Sequence, residues 1–562
     1  MGKTKAILTS LAALTLGGLL FFNSTPAPSA MDIRDGRAPW PLTALTCASA
    51  QDFATTCKFS LAGHRPRDAR VLALVNNAAD PADTPYFGPR EWPVTSAADF
   101  NALNGRLSPG DQIVLRAGNW SNQRIVLRAN GSASRPILVR AERVGATRFS
   151  GTSSITLTGS HLFLHGVSFL GAVATSANKN AIVLGTTGSP CHGCAAVQVR
   201  IDDFNPVAAQ AWAFKHNYVV VTGRDVTVSH SDFRNLRYHG NFVSVSPKET
   251  TPIRTHILRN YFADRPAPTG APADKTNGNE VIYLGGSQVQ THQGHVLIEN
   301  NLILRTGGDA EIITVKLADV ILRNNTLRDN RGTLTLRHSA RTLVEGNFFL
   351  GGATFPSGGG LRVIGPDHVV VNNYFEGIKG NSTNSPLVLM AGGSPAPKDG
   401  DAGYVQMRNV LVAHNTFVNC EAGIALGAGS SSRYPLQAAA TTIANNFFQG
   451  ITKFRPLEPY HAGAATGVSF ANNVVVASLS DTVGAGARIN DSVKAIAHHG
   501  QLRPLTTSRT FQNARPLASL RRPTDIDGLA APASRADVGA DEIGNQSAAT
   551  ARAPLSLSTL WK

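Results

Sequence analysis

Short apolar runs separated by turn residues recur along most of this chain. Each run holds only a few apolar residues, often with polar residues at alternate positions, which is typical of β-strands rather than helices. From residue 260 onward, many runs are followed by an asparagine and then by two mostly apolar residues. The repeated asparagines are Asn260, Asn301, Asn325, Asn347, Asn373, Asn415, Asn446 and Asn473.

The spacing of these asparagines indicates a repeat architecture. Successive intervals are 41, 24, 22, 26, 42, 31 and 27 residues, and a period in the twenties with short β-type runs is typical of a stacked solenoid. The two longest intervals fit either one coil with an inserted loop or two coils. Leucine-rich repeats share the period, but their fixed leucine framework is absent. We therefore predict an all-β fold, a single-stranded right-handed parallel β-helix, with the asparagines stacked as a hydrogen-bonded ladder.

A short helix is predicted before the repeats, over Ser96–Leu107. Ser96 is a suitable N-cap with Asp99 three residues later, and Phe100 and Leu103 share one helical face with Leu107. We expect this helix to cap the N-terminal end of the β-helix, which would otherwise expose unpaired strand edges.

These patterns divide the chain into four parts. Residues 1–30 have a charged start, an apolar core and small residues at their end, which predicts a signal peptide. Residues 31–91 form an N-terminal extension to which the sequence assigns no role, and residues 92–480 carry the β-helix. The pattern fades in residues 481–562, which we expect to pack on the end of the β-helix and to finish in a mobile tail beyond Gln546.

Charge and composition narrow the class of partner. The formal net charge is +15 and the isoelectric point is about 9.9, which favours an anionic partner, although a basic protein without a specific partner is the alternative. There is no Lys/Arg-rich run or recognisable nucleic-acid module, so nucleic acid is a poor candidate. No apolar run after the signal peptide is long enough to span a bilayer. We expect a secreted protein, extracellular or periplasmic, that acts on an acidic polysaccharide and not on a membrane; its oligomeric state is left open.

The five cysteines suit an exported protein. Cys47 and Cys57 are close in sequence, as are Cys191 and Cys194, and Cys420 is left over. Two local disulfides are the first hypothesis. A metal site built on the second pair is disfavoured, because no further ligand pair is spaced to complete it.

Candidate chemistry is concentrated between Gly307 and His338. Asp309 and Glu311 occupy alternate positions, which share a face in an extended strand and can reach one ion. Lys316 and Arg337 are 21 residues apart, so coils of about that length would stack them on adjacent rungs. A less specific alternative is an exposed face on which Lys316 forms surface salt bridges with the two carboxylates.

Cleavage of a uronate chain by β-elimination requires the groups found in this stretch. The proton at C5 is weakly acidic, so the neighbouring carboxylate must be neutralised, a base must take the proton and an acid must serve the leaving oxygen. Asp309 and Glu311, with an oxygen such as that of Asn277, are candidate ligands for Ca²⁺. Lys316 is the candidate base, because burial and a neighbouring cation both depress a lysine pKa. Arg337 would stabilise charge or act at the leaving oxygen, directly or through water.

Several ordered blocks of sequence resemble a known family. The runs GDAEIITVK, RNNT, GTLTLRH, EGNFFLGG and NNYFEG are similar to polysaccharide lyase family six, which contains alginate lyases and the dermatan-sulfate-cleaving chondroitinase B. The resemblance extends upstream through RPILVRAE, IDDFNP and NGNE, covers roughly residues 92 to 480, and has a fainter match at DVGADE. It implies a right-handed parallel β-helix, a calcium site, a lysine base and an arginine acid.

Carried over motif by motif, the resemblance implies a set of site residues. Lys316 and Arg337 match the catalytic pair, and the calcium ligands become Asn277, Asp309 and Glu311. The residues matched to contacts with the sugar chain are His338, Arg362 and, as a weaker candidate, His368.

This sequence departs from the family in two places. Position 309 is Asp where the family commonly has Glu, so that ligand is one methylene shorter. Near the NGNE run, Asn279 and Glu280 remain alternatives to Asn277 as a metal ligand. Alginate is the expected substrate and dermatan sulfate the alternative, whereas linkage preference and internal or terminal cutting are left open.

Two other functions compete with a lyase. A glycoside hydrolase on the same fold would need two suitably placed carboxylates. Asp202 and Asp203 are adjacent, but neighbours on a strand point to opposite faces. A non-catalytic glycan-binding solenoid would retain the charge, but it would not need Lys316 and Arg337 beside an acidic cluster.

Overall fold

Three long parallel sheets form most of this computed structural model, as expected for a right-handed parallel β-helix. The structure describes residues 68–76, 86–247, 252–453 and 467–476, and the shorter segments 487–489, 495–498, 501–504, 514, 525–527, 537–541 and 552–560. The chain passes through the first, second and third sheets in turn and then returns to the first sheet on the next rung. The predicted fold class is confirmed.

The strands of the three sheets are short, and each pairs in parallel with strands of neighbouring rungs. The first sheet consists of Glu91–Val94, Gln112–Leu115, Ile137–Ala141, Leu162–His165, Ala195–Val197, Thr227–Ser229, His256–Leu258, Leu297–Glu299, Ile321–Arg323, Leu343–Glu345, Val369–Val371, Leu411–Ala413, Thr441–Ala444 and Val468–Ala471. The second sheet consists of Gly118–Ser121, Thr147–Gly151, Ser168–Ala172, Arg200–Asp202, Asp232–Arg234, Tyr261–Arg265, Leu302–Thr306, Thr326–Arg328, Phe348–Leu350, Tyr374–Glu376, Thr416–Val418, Phe447–Gln449, Asn473–Val476 and Ala487–Ile489.

The third sheet carries the residues of greatest functional interest. It consists of Arg124–Asn130, Ser154–Ser160, Asn180–Leu184, Cys191–His192, His216–Val221, Gly240–Val245, Ile282–Leu284, Glu311–Val315, Thr333–Leu336, Leu361–Val363, Leu387–Met390 and Ile424–Ala428. A separate antiparallel pair is formed by Ala495–His498 and Gln501–Pro504.

Stacked apolar side chains fill the interior of the β-helix. Phe349, Phe375, Phe417 and Phe448 form one column on successive rungs, with ring centroids 4.7, 4.6 and 4.6 Å apart. Each is at most 1% exposed, and full burial of a phenylalanine contributes about 1.5–3 kcal/mol. In-register stacking therefore repeats the same contact on rung after rung.

The repeated asparagines form the predicted ladder. Each of the eight side chains is fully buried. From Asn260 to Asn446, each amide Nδ2 donates to the Oδ1 of the next asparagine at 2.9–3.0 Å, and so does its backbone N–H. Because Asn260 bonds directly to Asn301 and Asn373 to Asn415, the two longest intervals are single coils with inserted loops.

The N-terminal end is closed by side-chain hydrogen bonds. A helix at Ala97–Asn101 begins at Ser96, whose hydroxyl accepts from the backbone N–H of Asp99 at 3.1 Å. Asn101 Oδ1 accepts from Val126 N, and Asn104 Nδ2 donates to Val126 O. The capping helix is confirmed, but it ends at Asn101 rather than Leu107, and turns follow it.

Part of the N-terminal extension also packs on the β-helix. A helix at Ala69–Asn76 places Val71 and Leu74, with Phe87, against the apolar outer face of the first sheet at Leu138 and Phe163. The predicted signal peptide and, within the extension, residues 31–67 and 77–85 lie outside the described residues. Among the helices described, none is both long and apolar enough to cross a membrane.

Two described parts of the C-terminal segment, one at Ile526 and Ala540 and one at Leu560, lie along the second sheet. Ile526 and Ala540 pack on Phe348 and Tyr374, and Leu560 packs near Tyr261 and is 1% exposed. These positions differ from the predicted packing on the end of the β-helix and, for residues 552–560, from the predicted mobile tail. The physical reason is that this outer face carries aromatic and aliphatic side chains that need to be covered.

One of the two predicted disulfides lies in the described part of the chain. Cys191 and Cys194 are bonded, and Cys420 is free and buried in the core. Cys47 and Cys57 lie outside the described residues, so their pairing stays a prediction.

Candidate active site

A column of polar side chains runs along the outer face of the third sheet. Its strands bury their flanking positions, such as Ile313 and Val315, in the core and point the residue between them outward. Register pairing stacks the outward residues Ser244, Tyr283, Thr314, Thr335 and Arg362 on successive rungs.

Lys316 and Arg337 lie on adjacent rungs at one edge of this column. They directly follow Val315 and Leu336, which are register partners. The backbone N–H of Lys316 donates to Leu284 O, and that of Arg337 donates to Val315 O. The coil therefore brings the two cations together, as their spacing predicted.

Glu311 begins its strand and links the acidic and basic groups of the site. Its Oε1 accepts from Arg337 Nη1 at 2.5 Å, and its Oε2 accepts from Thr314 Oγ1 at 2.7 Å. Arg362 Nη1 is 4.0 Å from the same Oε1. Burial raises the pKa of Glu311, but Arg337, Thr314 and Arg362 together lower it by more, so the net shift is downward. Glu311 is therefore an ionised carboxylate held between two arginines.

Asp309 lies in the turn before this strand, on the same side as Glu311. Its Oδ2 accepts from the backbone N–H of Asn279 at 3.0 Å, and its Oδ1 accepts from that of Glu311 at 3.3 Å. Burial raises the pKa of Asp309. Asp309 and Glu311 are 7% and 5% exposed, and neither forms an ion pair with Lys316 within 4 Å, so the alternative of an exposed salt-bridged face does not hold.

Glu280 is a third carboxylate of the cluster. Its Oε2 accepts from Asn241 Nδ2 at 2.8 Å, and its Oε1 accepts from Thr314 Oγ1 at 3.3 Å. Burial and the neighbouring Asp309 raise the pKa of Glu280. Thr314 Oγ1 thus lies within hydrogen-bond distance of both Glu280 and Glu311, and its one hydroxyl proton is shared by the two carboxylates.

The NGNE run contributes buried residues other than the expected one. Asn277 is exposed, whereas Asn279 and Glu280 are buried. Asn279 Oδ1 already accepts from Gly240 N at 3.2 Å and from Arg265 at 3.3 Å. Of the three candidates in this run, Glu280 is the one that brings an acidic side chain to the cluster.

Lys316 has the environment of a lysine that loses its proton readily. Its Nζ is 5.0 Å from the centroid of the Tyr283 ring, and no carboxylate lies within 4 Å of it in the described part of the chain. Burial lowers its pKa below the ordinary 10.5, and Arg337 adds to this, while Glu280 and Glu311 oppose it.

Arg337 is held between Glu311 and an aromatic pair. Its Cζ is 5.4 Å from the Tyr404 ring, which stacks on Tyr434 with centroids 4.5 Å apart. Burial lowers the pKa of Arg337, but Glu311, Tyr404 and Tyr434 together raise it by more, so the net shift is upward. The guanidinium is therefore a fixed positive charge beside Lys316.

The loop that carries Tyr404 forms a wall along the site. It leaves the third sheet after Met390 and reaches back to the loop after Leu284, where the backbone N–H of Gly400 donates to Ser287 O at 2.8 Å. Thr291 Oγ1 donates to Asp399 Oδ2 at 2.7 Å. This wall spans the rungs of Lys316 and Arg337.

His338 lies beneath this wall. It is 1% exposed, its Nδ1 is 3.4 Å from Ser287 Oγ, and its Nε2 has no hydrogen-bond partner in the described part of the chain. Burial and the neighbouring Arg337 lower its pKa to about 4. It is a neutral imidazole at neutral pH.

The other two predicted substrate contacts have different surroundings. Arg362 points outward in the polar column, and its Nη2 donates to Thr383 O at 2.9 Å. His368 is fully buried; its Nδ1 accepts from Thr342 N and its Nε2 is 3.1 Å from Ile364 O. His368 therefore supports a turn of the backbone, which contradicts its predicted contact with the sugar chain.

Some residues of the site are not evident from local sequence patterns. Lys215 Nζ is 5.1 Å from the Tyr283 ring that Lys316 also contacts. Arg265 lies buried beneath the carboxylates, where burial lowers its pKa to about 10 and Asp309 and Glu280 partly offset that effect. Lys215 and Arg265 are far from Lys316 in the sequence, so no local pattern connects them to it. The available signal is the glycines that make room for such side chains: a Cβ at Gly308 would lie 1.8 Å from Arg265 Nε.

The acidic cluster suits a hard cation by the chemistry of its donors. Its three carboxylates, those of Glu280, Asp309 and Glu311, are buried, but their oxygens do not all lie within 4.8 Å of one another. Asn241, whose Nδ2 donates to Glu280, adds a buried amide oxygen without a hydrogen-bond partner in the described part of the chain. Oxygen donors of this kind are preferred by Ca²⁺. Because Glu311 is already bonded to Arg337 and Thr314, an ion would exchange for at least one of those contacts.

A second acidic group lies in the C-terminal segment. Within the described residues, only Asp525, Asp527 and Asp541 bring three ligand atoms within 4.8 Å of one another. This group is remote in sequence from Lys316 and Arg337.

The candidate hydrolase carboxylates lie elsewhere and are engaged. Asp202 accepts from Arg200 at 2.9 Å and from Asn235 at 2.8 Å, and Asp203 pairs with Arg237 at 2.6 Å. Both lie at the end of a strand of the second sheet rather than on the third. They do not form a catalytic pair with the groups around Lys316.

Comparison with known proteins agrees with this architecture. The family model described as chondroitinase B matches residues 94–513. No curated protein is similar enough in sequence to match the chain.

Two solved structures are informative relatives. The alginate lyase AlyGC of the PL6 family is 27% identical with a TM-score of 0.66, and the match covers 81% of this chain but 58% of AlyGC. A mannuronic-acid-specific family 6 polysaccharide lyase from human gut microbiota is 25% identical with a TM-score of 0.64, covering 71% of this chain and 91% of that protein. The chain thus spans less than two thirds of AlyGC.

The family-model match extends over most of the chain, and the β-helix begins and continues within the matched residues. The chain therefore belongs to polysaccharide lyase family six, the family of chondroitinase B and of these alginate lyases.

Proposed function

We propose that this protein is a secreted polysaccharide lyase that cleaves a polyuronate, preferably alginate, by β-elimination. The observation that carries the proposal is the placement of Lys316 and Arg337 on adjacent rungs, beside three buried carboxylates. A base, a fixed cation and an acidic cluster on one face are the groups that this elimination needs.

Lys316 is the proposed base. In its neutral form Nζ takes the proton from C5 of the uronate, and the electron pair of that C–H bond forms the C4–C5 double bond. The C4–O4 bond breaks, and its electrons leave with the oxygen. Burial of Lys316 lowers its pKa, which increases the neutral fraction available for this step.

Arg337 is the proposed electrophilic partner. Because Glu311 and the neighbouring tyrosines together outweigh the effect of burial and raise the pKa of Arg337, direct loss of its proton is unfavourable. Its main role is to stabilise negative charge on the carboxylate or on the leaving oxygen, with a water molecule completing the protonation of that oxygen. His338 and Arg362 lie beside this position and are the proposed contacts with the sugar chain.

A calcium ion is the proposed cofactor. Asp309, Glu311 and Glu280 would hold it, with Asn241 or Asn277 as a neutral donor. When bound, the ion neutralises the uronate carboxylate and thereby makes the C5 proton more acidic. Asn277 is exposed, so Glu280 is the better supported ligand from that run.

Alginate is preferred as the substrate because of the named relatives. AlyGC is an alginate lyase, and the gut relative is described as specific for mannuronic acid. The chondroitinase B model that matches this chain supports dermatan sulfate as the second candidate. Both polymers present uronate carboxylates to the same cations.

Export is supported by the chemistry of the cysteines. The bonded pair Cys191 and Cys194 is characteristic of an oxidising compartment. It agrees with the signal peptide expected at residues 1–30, and together they favour an extracellular or periplasmic location.

Digestion of alginate and of dermatan sulfate by the wild type and by Lys316→Ala tests the proposal. The wild type should produce ultraviolet-absorbing unsaturated sugar ends from alginate, and Lys316→Ala should lower the rate by about 10³-fold, as expected for loss of a general base. Lys379→Ala is the control, because that lysine is exposed and bonds only a backbone oxygen, that of Asn419. A Lys316→Ala variant with wild-type activity would contradict the mechanism.

A further inference from the structure

Two lysines from different coils converge on one tyrosine of the site. Lys316 Nζ and Lys215 Nζ are 5.0 and 5.1 Å from the centroid of the Tyr283 ring. Lys316 follows the strand one rung after that of Tyr283, and Lys215 precedes a strand two rungs before it. Each rung adds about 4.8 Å, so the two side chains reach the ring from opposite directions along the axis.

The ammonium of Lys215 has no partner of its own in the described part of the chain. No carboxylate lies within 4 Å of it, although Glu280 and Asp309 attract it from farther away. A half-buried cation of this kind, left without a counter-ion, is suited to an anionic ligand.

Gly278 keeps the space beside this ammonium open. Its φ of +84° is in the left-handed region, and a Cβ at this position would lie 3.3 Å from both Lys215 Nζ and His239 Nε2. Glycine satisfies both the backbone conformation and the room that a ligand at Lys215 needs. The NGNE run thereby has a role in forming the site besides contributing Glu280.

We propose that Lys215 is a substrate-binding residue, whose ammonium binds the carboxylate of the uronate next to the sugar that Lys316 deprotonates. This inference rests on the proposed function. A polyuronate carries one carboxylate on every sugar, so a chain lying over Tyr283 along the axis presents one carboxylate to the group around Lys316 and Arg337 and a second one to Lys215. The ring between the two lysines supplies an apolar surface for the sugar.

Binding without turnover tests this role directly. In a Lys316→Ala background, the affinity for a saturated alginate oligomer is measured by calorimetry, with and without Lys215→Met. Lys215→Met should weaken binding about tenfold and leave the melting temperature unchanged, because methionine keeps the contact with Tyr283 and loses only the charge. Lys215→Arg, which keeps the charge, should restore most of the affinity.

A matched control removes a lysine from the same edge of the sheet. Lys179 immediately precedes the strand Asn180–Leu184, which pairs with the strand that Lys215 precedes, and it is exposed. Lys179→Met should change the affinity less than twofold. An oligomer with its carboxylates reduced to alcohols should bind equally to the Lys215→Met variant and to its parent.

The outcomes separate this inference from the proposed function. If the wild type cleaves alginate and Lys215→Met binds the oligomer as tightly as its parent, the role of Lys215 is wrong and the lyase stands. If Lys215→Met weakens binding but the wild type releases no unsaturated product, the carboxylate site stands and the lyase is wrong.

Discussion

Glu311 shows how single residues of this site are shared between roles. Its two oxygens receive Arg337 and Thr314, and Arg362 lies 4.0 Å away. A carboxylate in this position fixes the direction of Arg337 and also offers a donor to a cation. The position of Glu311 on its strand therefore determines where the Arg337 guanidinium and the proposed cation lie.

The ionisation of Lys316 leads to a prediction of pH dependence. The base is active when neutral, and burial lowers its pKa below 10.5, so kcat/KM for alginate should rise with pH and level off below pH 10.5. Tyr283→Ala exposes the ammonium to water and should move this rise to higher pH.

Ser244→Ala is the control for that experiment, since Ser244 lies in the same column one rung before Tyr283. It should leave the pH profile of kcat/KM unchanged. A rise centred at or above pH 10.5 in the wild type would show that Lys316 is not the base.

At the residue scale, the sequence predicts neighbours within a coil better than neighbours between coils. Asp309, Glu311, Lys316 and Arg337 were expected together because strand alternation and one coil length relate them. Lys215 lies on a different coil from Lys316. Because a loop is inserted before Ile282–Leu284, no fixed spacing connects Lys215 to Lys316. His368 is of a residue type that is common in active sites, but both of its ring nitrogens form hydrogen bonds with the backbone.

The asparagine ladder is the clearest element that repeats from coil to coil. Each internal amide donates to the next rung and to backbone oxygens, and it accepts from the previous rung; Asn347 Nδ2, for example, donates to Leu322 O, Glu345 O and Asn373 Oδ1. These bonds satisfy buried backbone groups at a turn that no strand pairing covers.

Asn347→Ala should therefore destabilise the β-helix. It removes the amide and leaves buried donors and acceptors on both neighbouring rungs without partners, which costs about 2–4 kcal/mol. The free energy of unfolding in denaturant measures this loss.

Asn381→Ala serves as the matched control, because Asn381 is an exposed asparagine outside the ladder. We expect its unfolding free energy to stay within about 0.5 kcal/mol of the wild type. Equal stabilities for Asn347→Ala and Asn381→Ala would contradict a stabilising ladder.

At the element scale, the stacking of strands was predictable and the inserted loops were not. The asparagine period identifies the rungs because each rung must present the same buried amide to the next. The loop from Ala391 to Met407 has no such constraint, so no sequence pattern predicts that Tyr404 lies beside Arg337. The same lack of a period explains why the C-terminal segment was expected at the end of the β-helix instead of along the second sheet.

The whole molecule combines a high positive charge with a buried acidic cluster. The net charge of +15 attracts polyanions over distances comparable to the Debye length. The cations around the cluster outnumber its three carboxylates; they are Lys215, Arg265, Lys316, Arg337 and Arg362. Under the proposed function, the overall charge attracts the anionic polysaccharide and the groups at the site position it.

The proposed calcium ion can be tested by its effect on stability as well as on activity. Ca²⁺ added to chelator-treated protein should raise the melting temperature, because an ion that binds only the folded state stabilises it by mass action. The chelator should also lower the rate of alginate cleavage, and Ca²⁺ should restore it. Asp309→Asn should remove both effects.

The group of Asp525, Asp527 and Asp541 provides the matching control. If Asp527→Asn removes the rise in melting temperature and Asp309→Asn does not, the ion binds in the C-terminal segment and the proposed ligands are wrong.

The central claim is that Lys316 and Arg337 carry out elimination rather than hydrolysis. The most direct measurement is mass spectrometry of alginate fragments formed in water labelled with heavy oxygen. Elimination breaks the C4–O4 bond without adding water, so the new unsaturated ends should carry no label when they are formed. New ends that are saturated, with the mass of one water added to the fragments at each cut, would contradict the account.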